Sequence, residues 1–317
     1  MSFSTDVKEE LVHVKSTCKD CNTAMLSAIL AVDAEVAINQ KNGLYRFDCV
    51  CDFNPLVRFV LEVLHKNYDL KTETIFRRSV LHHTQNYQIK VPYQKSVMDS
   101  LLSVGIITNN GSLESGIRSD IISKPCCKKS YLRGIFLASG FIGDPKSNFH
   151  LEIIVEKEKL AYDILSIMKE LDIHARVVPR RQSYMIYMKS GSNIENFLAC
   201  IGASQSLLKF TSVRVNKSLR NEANRLSNAE FANVDRATKA SVKQLKDIQI
   251  VLKKYKDRPE VIPPAIREFI ELRVANPTAS MKELGQIARP AMTKSAINHR
   301  ARRLEEIARK IESESLV

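Results

Sequence analysis

Glycine is scarce in this sequence. Only ten occur in 317 residues, yet Gly134, Gly140 and Gly143 fall within one apolar run, SYLRGIFLASGFIGDP, at residues 130–145. The run otherwise has a helical pattern, and glycine inside a helix costs roughly 1 kcal/mol against alanine, so its placement needs a reason. Long apolar runs are missing too. None approaches the ~18 to 20 residues that span a bilayer, and the opening MSFSTDVKEELVHVK carries charge and no signal core, so a cytoplasmic protein that enters no membrane is expected. The seven cysteines are odd in number and two are adjacent, which does not suggest a disulfide framework. Acidic residues are outnumbered, 35 against 48 Lys+Arg, for a formal charge of +13. That balance points to polyanionic partners, nucleic acid before an acidic membrane surface. What is present, 44% hydrophobic residues over this length, is enough for two or three domains with real cores.

Cys18 and Cys21 form a CxxC and Cys49 and Cys51 a CxC, short spacings of the kind with which thiolates bind zinc. Neither knuckle has the usual glycine or flanking ligands. The four are read as buried or incidental thiols, with no metal and no cofactor. His82 and His83 are read as exposed loop residues between two strands.

An internal repeat supplies the reason for the glycines. At an offset of 106, AMLSAILAVDAEVA from residue 24 aligns with SYLRGIFLASGFIG from residue 130, and Cys21 meets Cys127. The shared cysteine position reads as part of a repeated helix start. The two copies continue alike, with an alternating strand, an amphipathic helix, a hairpin carrying a basic pair (Arg77 and Arg78, then Arg180 and Arg181) and a short helix. Gly134 and Ala138 lie four apart on one helix, Ala28 and Val32 on the other. Small residues so spaced let two helix backbones approach closely, so the copies are expected to clasp about a pseudo-twofold axis.

The pattern from Leu132 to Gly140 resembles the LAGLIDADG helix of homing endonucleases, and the whole chain is similar to the bacterial WhiA family. The matching segments are FSTDVKEEL, CCKKSYLRGIFLASG, RNEANRLSNAEFAN, PPAIREFIELRVANPTASMKELGQIA and TKSAINHRARRLEEIA, in that order. The resemblance implies an α+β fold of two LAGLIDADG-like αββαββα halves related by a pseudo-twofold, followed by an all-α helix-turn-helix domain. In the nucleases the eighth motif position is acidic in both copies, and the two carboxylates hold divalent metal. Here that position is Asp33 in the first copy and Ser139 in the second; Glu35 flanks the first, and the acid nearest the second motif is Asp144. A hydroxyl cannot supply the missing charge, so a non-enzymatic, degenerate nuclease scaffold is expected.

Positive charge gathers at the far end: residues 216–317 carry 21 Lys+Arg and 13 Asp+Glu. The stretch from Arg220 is expected to form two helices, with Arg220, Asn224 and Asn228 along one face, before DRPEVIPP breaks the chain. Proline then opens a helix at PPAIREF, Ser280 and Glu283 form a capping box for a second, and Thr293 caps a third. Helix, helix, short turn and basic helix is the order of a helix-turn-helix. On the third helix Ile297, Ala301, Leu304, Ala308 and Ile311 share the core face, while Ser295, His299, Arg302 and Arg303 lie opposite, with Lys294, Asn298 and Arg300 on the shoulders. Arginine pairs with guanine, asparagine with adenine, and lysine or serine with phosphate, so this face suits a major groove.

The expected domains are residues 1–112 and 113–215 for the repeats, 216–257 for a helical linker and 258–317 for the helix-turn-helix. Candidate DNA contacts are Ser280, Thr293, Lys294, Ser295, Asn298, His299, Arg300, Arg302 and Arg303. Secondary candidates are Arg77, Arg78, Arg180, Arg181, Arg220 and Asn224. The family resemblance implies a nucleoid-associated, double-stranded-DNA-binding regulator of cell division, chromosome segregation or sporulation. It also implies RNA polymerase, a sigma factor or another regulator as further partners. Two alternatives stay open: a metal-dependent endonuclease using Asp33, and an interaction module contacting the transcription machinery.

Overall fold

Two helices of equal length carry the small residues that the repeat predicts. In the computed structural model, which describes residues 2–78 and 85–314, they are α2 (Lys19–Asp33) and α5 (Pro125–Ser139). A Cβ built on Gly134 would stand 2.5 Å from the Met25 carbonyl oxygen and 2.8 Å from the Ala28 Cβ. No side chain fits that gap, which is why glycine is used there. Ala24, Ala28, Leu132 and Ile135 are fully buried around the contact.

Each clasp helix heads one copy of the repeat. After α1 (Phe3–Val12) and α2 come β1 (Glu35–Ile38), β2 (Tyr45–Cys51), α3 (Asn54–Tyr68), β3 (Glu73–Arg78), β4 (Gln85–Gln94) and α4 (Ser96–Ser103). After α5 come β5 (Gly140–Ile142), β6 (Leu151–Val155), α6 (Glu158–Glu170), β7 (Arg176–Arg180), β8 (Ser183–Met188) and α7 (Gly191–Ile201). The antiparallel sheets have corresponding orders, β1-β2-β4-β3 and β5-β6-β8-β7. Alternation decides the faces. Phe47 and Cys49 on β2 pair with Val91 and Ile89 on β4, and all four are buried. Ile153 pairs with Ile186 in the second sheet, with Ile164 and Met168 of α6 in the same core. His82 and His83 lie outside the described residues.

The next helix, α8 (Ser204–Lys254), is 51 residues long. Glu10 of α1 seats its carboxylate on the start of α8, accepting from the Gln205 and Ser206 backbone N–H groups at 2.7 and 2.9 Å and from the Ser206 hydroxyl at 2.7 Å. A carboxylate there satisfies free donors and complements the helix dipole. The two helices expected after Arg220 are one, because no glycine or proline interrupts residues 204–254.

The chain divides into two compact units, Met1–Ser218 and Leu219–Val317. In the second, a 3₁₀ turn (Pro259–Val261) precedes α9 (Pro264–Ala275), α10 (Met281–Ile287) and α11 (Lys294–Glu314). Its core joins Ile266, Phe269 and Ile270 of α9, Leu284 of α10, and the stripe Ile297, Ala301, Leu304, Ala308 and Ile311 of α11. Ile248 and Val251 of α8 belong to the same core, so the end of the stretch expected as linker packs within this unit.

Candidate nucleic-acid interface

Local chemistry builds the α10–α11 pair. The Ser280 hydroxyl accepts from the Glu283 N–H at 3.3 Å while the Glu283 carboxylate accepts from the Ser280 N–H at 2.7 Å. These backbone and hydroxyl contacts hold the Glu283 carboxyl below the usual carboxylate range. The Thr293 hydroxyl accepts from the Ala296 N–H at 3.2 Å and caps α11. Between the helices the chain folds back so tightly that a Cβ on Gly285 would collide with the Met292 carbonyl oxygen. The Met292 N–H donates to the Gly285 carbonyl at 2.8 Å, locking the turn. The connection from α9 to α10 is held by Arg273, 1% exposed, donating to Gln244 Oε1 at 2.9 Å and to the Ala279 carbonyl at 2.6 Å. Burial pulls its guanidinium below the ordinary value.

With one stripe of α11 in the core, the opposite side faces solvent. Lys294, Ser295, His299, Arg302 and Arg303 are exposed, and Asn298 and Arg300 are half-buried at the shoulders. Arg300 is held by Glu268 of α9 at 2.7 Å, and Arg303 pairs with Glu306 at 2.8 Å. Farther along, Glu305 is taken up by Lys243 at 2.6 Å and by Arg309. Among the described residues, Lys294 and Arg302 are then the cations of this face with no carboxylate partner. Ser280 and Thr293 serve as caps, one at the start of each helix. Exposed Lys282, Gln286 and Arg289 of α10 and the turn were not read from the sequence. A basic residue immediately before the turn of a helix-turn-helix was the available signal.

The secondary candidates are scattered. Arg77 and Arg78 end β3, opposite Asn86 and Gln85 of β4. Arg180 and Arg181 are exposed at the β7–β8 turn, and Arg180 reaches Glu152 at 3.6 Å. Arg220 and Asn224 are exposed on α8. On the sheet face away from the core, paired positions run Glu35, Asp48, Lys90, Glu73 across the first sheet. The equivalent row of the second sheet is Phe141, Glu152, Tyr187, Arg176. That row of the first sheet sets three carboxylates against one lysine, a poor match for phosphates, although Arg46 is exposed on the same face.

Asp33 and Ser139 are the last residues of α2 and α5, equivalent positions in the two copies. The Ser139 hydroxyl donates back to the Ile135 carbonyl at 3.3 Å. Partial desolvation, then the charges of Asp52 and Glu156, push the Asp33 carboxyl up to about 6 against the opposing pull of Lys8. Among the described residues one group of ligating side chains is compact enough for a metal ion, and it lies elsewhere: Cys18, Cys21, Cys126 and Cys127. The short CxxC and CxC spacings group Cys18 and Cys21 with Cys49 and Cys51, and the structure does not. Those two are instead buried in β2, because both point to the core face of an alternating strand.

Two family models match the chain. The WhiA LAGLIDADG-like domain covers residues 128–220, and the WhiA C-terminal HTH domain covers residues 223–308. A Carboxydothermus hydrogenoformans protein described as "Probable cell division protein WhiA" is 37% identical over 317 residues, covering 100% of both chains. Its Desulforamulus reducens counterpart is 35% identical, covering 99% of this chain and 97% of its own. The crystal structure of full-length WhiA from Thermatoga maritima superposes with a TM-score of 0.59 at 22% identity, covering 98% of this chain and 99% of its own. That likeness extends through both the duplicated sheets and the helical unit. With full-length relatives above 30% identity and matching models in both units, the chain belongs to the WhiA family.

Proposed function

We propose that this chain is a sequence-specific, double-stranded-DNA-binding transcriptional regulator of cell division that reads its site with the first turns of α11. One observation carries the reading: Ile297, Ala301 and Leu304 are buried while Ser295, His299 and Arg302 face solvent, on a helix following a capped helix and a tight turn. That is the presentation a recognition helix needs, with its N-terminal residues toward base edges. Ser280 and Thr293 place helix N-termini where phosphates bind, and Lys294 and Arg303 add phosphate contacts. The relatives' description as cell division proteins supports the process. Arg77, Arg78, Arg180, Arg181, Arg220 and Asn224 are at most auxiliary contacts in this reading.

The scaffold is non-catalytic in this proposal, because Ser139 offers no charge and its hydroxyl is turned to its own helix. Mapping genomic occupancy gives a cognate site, and fluorescence anisotropy on that duplex tests the reading. Arg302→Ala should weaken specific binding by about 1 to 3 kcal/mol. Unchanged specific affinity removes α11 as the reading helix. Asp33-dependent nicking of supercoiled plasmid in magnesium would overturn the non-catalytic assignment.

A further inference from the structure

Two helix N-termini converge on four thiols. Cys18 is the N-cap of α2 and Cys21 lies in its first turn, while Cys126 and Cys127 occupy the first turn of α5. Cys18 and the adjacent pair are 108 and 109 positions apart in sequence, yet their sulfurs stand 3.6 and 3.8 Å apart. Cys18 and Cys21 are separated by 3.4 Å, and all four sulfurs fall within 4.8 Å of one another. A zinc ion bound by four thiolates at ~2.3 Å sets the sulfurs ~3.8 Å apart along the edges of a tetrahedron. The observed separations bracket that edge, and all four cysteines are free thiols.

The surroundings suit the charge. Four thiolates and one divalent cation leave two negative charges, and two helix N-termini aimed at one point oppose them. The buried Arg133 adds positive charge close enough to interact with Cys21, while Lys124, near Cys18, is paired with Asp20 at 2.6 Å. Tetrahedral sulfur ligation with no open position is the arrangement of a structural rather than a catalytic ion.

We propose that Cys18, Cys21, Cys126 and Cys127 form a tetrathiolate Zn²⁺ site that clips the two repeats together at the N-terminal ends of α2 and α5. Asp33 and Ser139 lie at the opposite ends of the same helices, so the clip is separate from the former catalytic position and independent of the DNA-binding reading. It locks the clasp end that the Gly134 contact alone does not reach.

Full-length protein purified under reducing conditions should carry one zinc per chain by plasma mass spectrometry. Metal-free protein titrated with Co²⁺ should develop the intense visible bands and near-ultraviolet charge transfer of tetrahedral cobalt thiolate. Cys126→Ser, a half-buried position, should lose stoichiometric zinc and those bands, while Cys200→Ser outside the cluster should keep both. A readout needing no variant is alkylation: zinc should shield the half-buried Cys18 and Cys126 from iodoacetamide, while Cys200, half-buried outside the cluster, stays equally reactive with and without the metal. The proposal fails if reduced wild-type protein takes up no stoichiometric zinc and gives no cobalt bands. It fails equally if C126S retains both, or if the cluster is isolated as disulfides.

Discussion

At Gly134 a single methyl group would press on the Met25 carbonyl of the opposing helix, and backbone cannot swing aside as a side chain can. Gly134→Ala should therefore lower the stability of the first unit by about 1 to 3 kcal/mol, read by denaturant unfolding. Alanine's better helix propensity offsets only part of that. Asp33 gives a second expectation with a definite sign. Its native carboxyl titrates near 6 against an ordinary 3.8, so between those values the folded state holds the proton more tightly and stability falls as pH rises. Asp33→Asn should match wild type near pH 4 and melt higher above pH 6, the gap opening across that window. Gly134 was legible because two aligned small-residue helices imply a close contact. The thiol cluster carried the same signal, misread: Cys21 and Cys127 are equivalent across a twofold, and equivalent residues beside such an axis must be neighbours. Sequence proximity drew Cys49 and Cys51 into the comparison instead, although strand alternation turns both toward the core.

Elements with local instructions were read well, and those without were not. The capping box at Ser280, the Thr293 cap and the prolines bounding α9 are side-chain and backbone features of a few adjacent residues, so they appear in the sequence as they do in space. The buried stripe of α11 follows from helical geometry alone. The continuity of α8 was missed because its polar residues carry no periodic apolar face over much of their length. Helix there follows from the absence of breakers, a weaker sign than a pattern. Ser280→Ala should destabilise the second unit by about 1 kcal/mol, seen as a lower thermal midpoint, because one orphan donor at the start of α10 loses its acceptor.

Over the whole molecule charge is divided unevenly, with a net +8 in residues 216–317 and +5 in the preceding 215. The outward row of the first sheet is acidic, and Arg180 is already engaged by Glu152. DNA affinity should thus depend on salt through the C-terminal unit: a double R180A and R181A variant should leave the slope of log K against log salt unchanged. A fall of about two units would instead enlist the hairpin as a phosphate contact. The seat of Glu10 on the start of α8, 195 residues away in sequence, has a practical bearing on how the protein is handled. An amino-terminal tag or trimming that dislodges the first helix would take the carboxylate from the start of α8, leaving core packing of Phe210 to hold that end, and would loosen its first turn. Loss of activity in such a preparation would then be an injury to that long helix, and fusions belong at the carboxyl end.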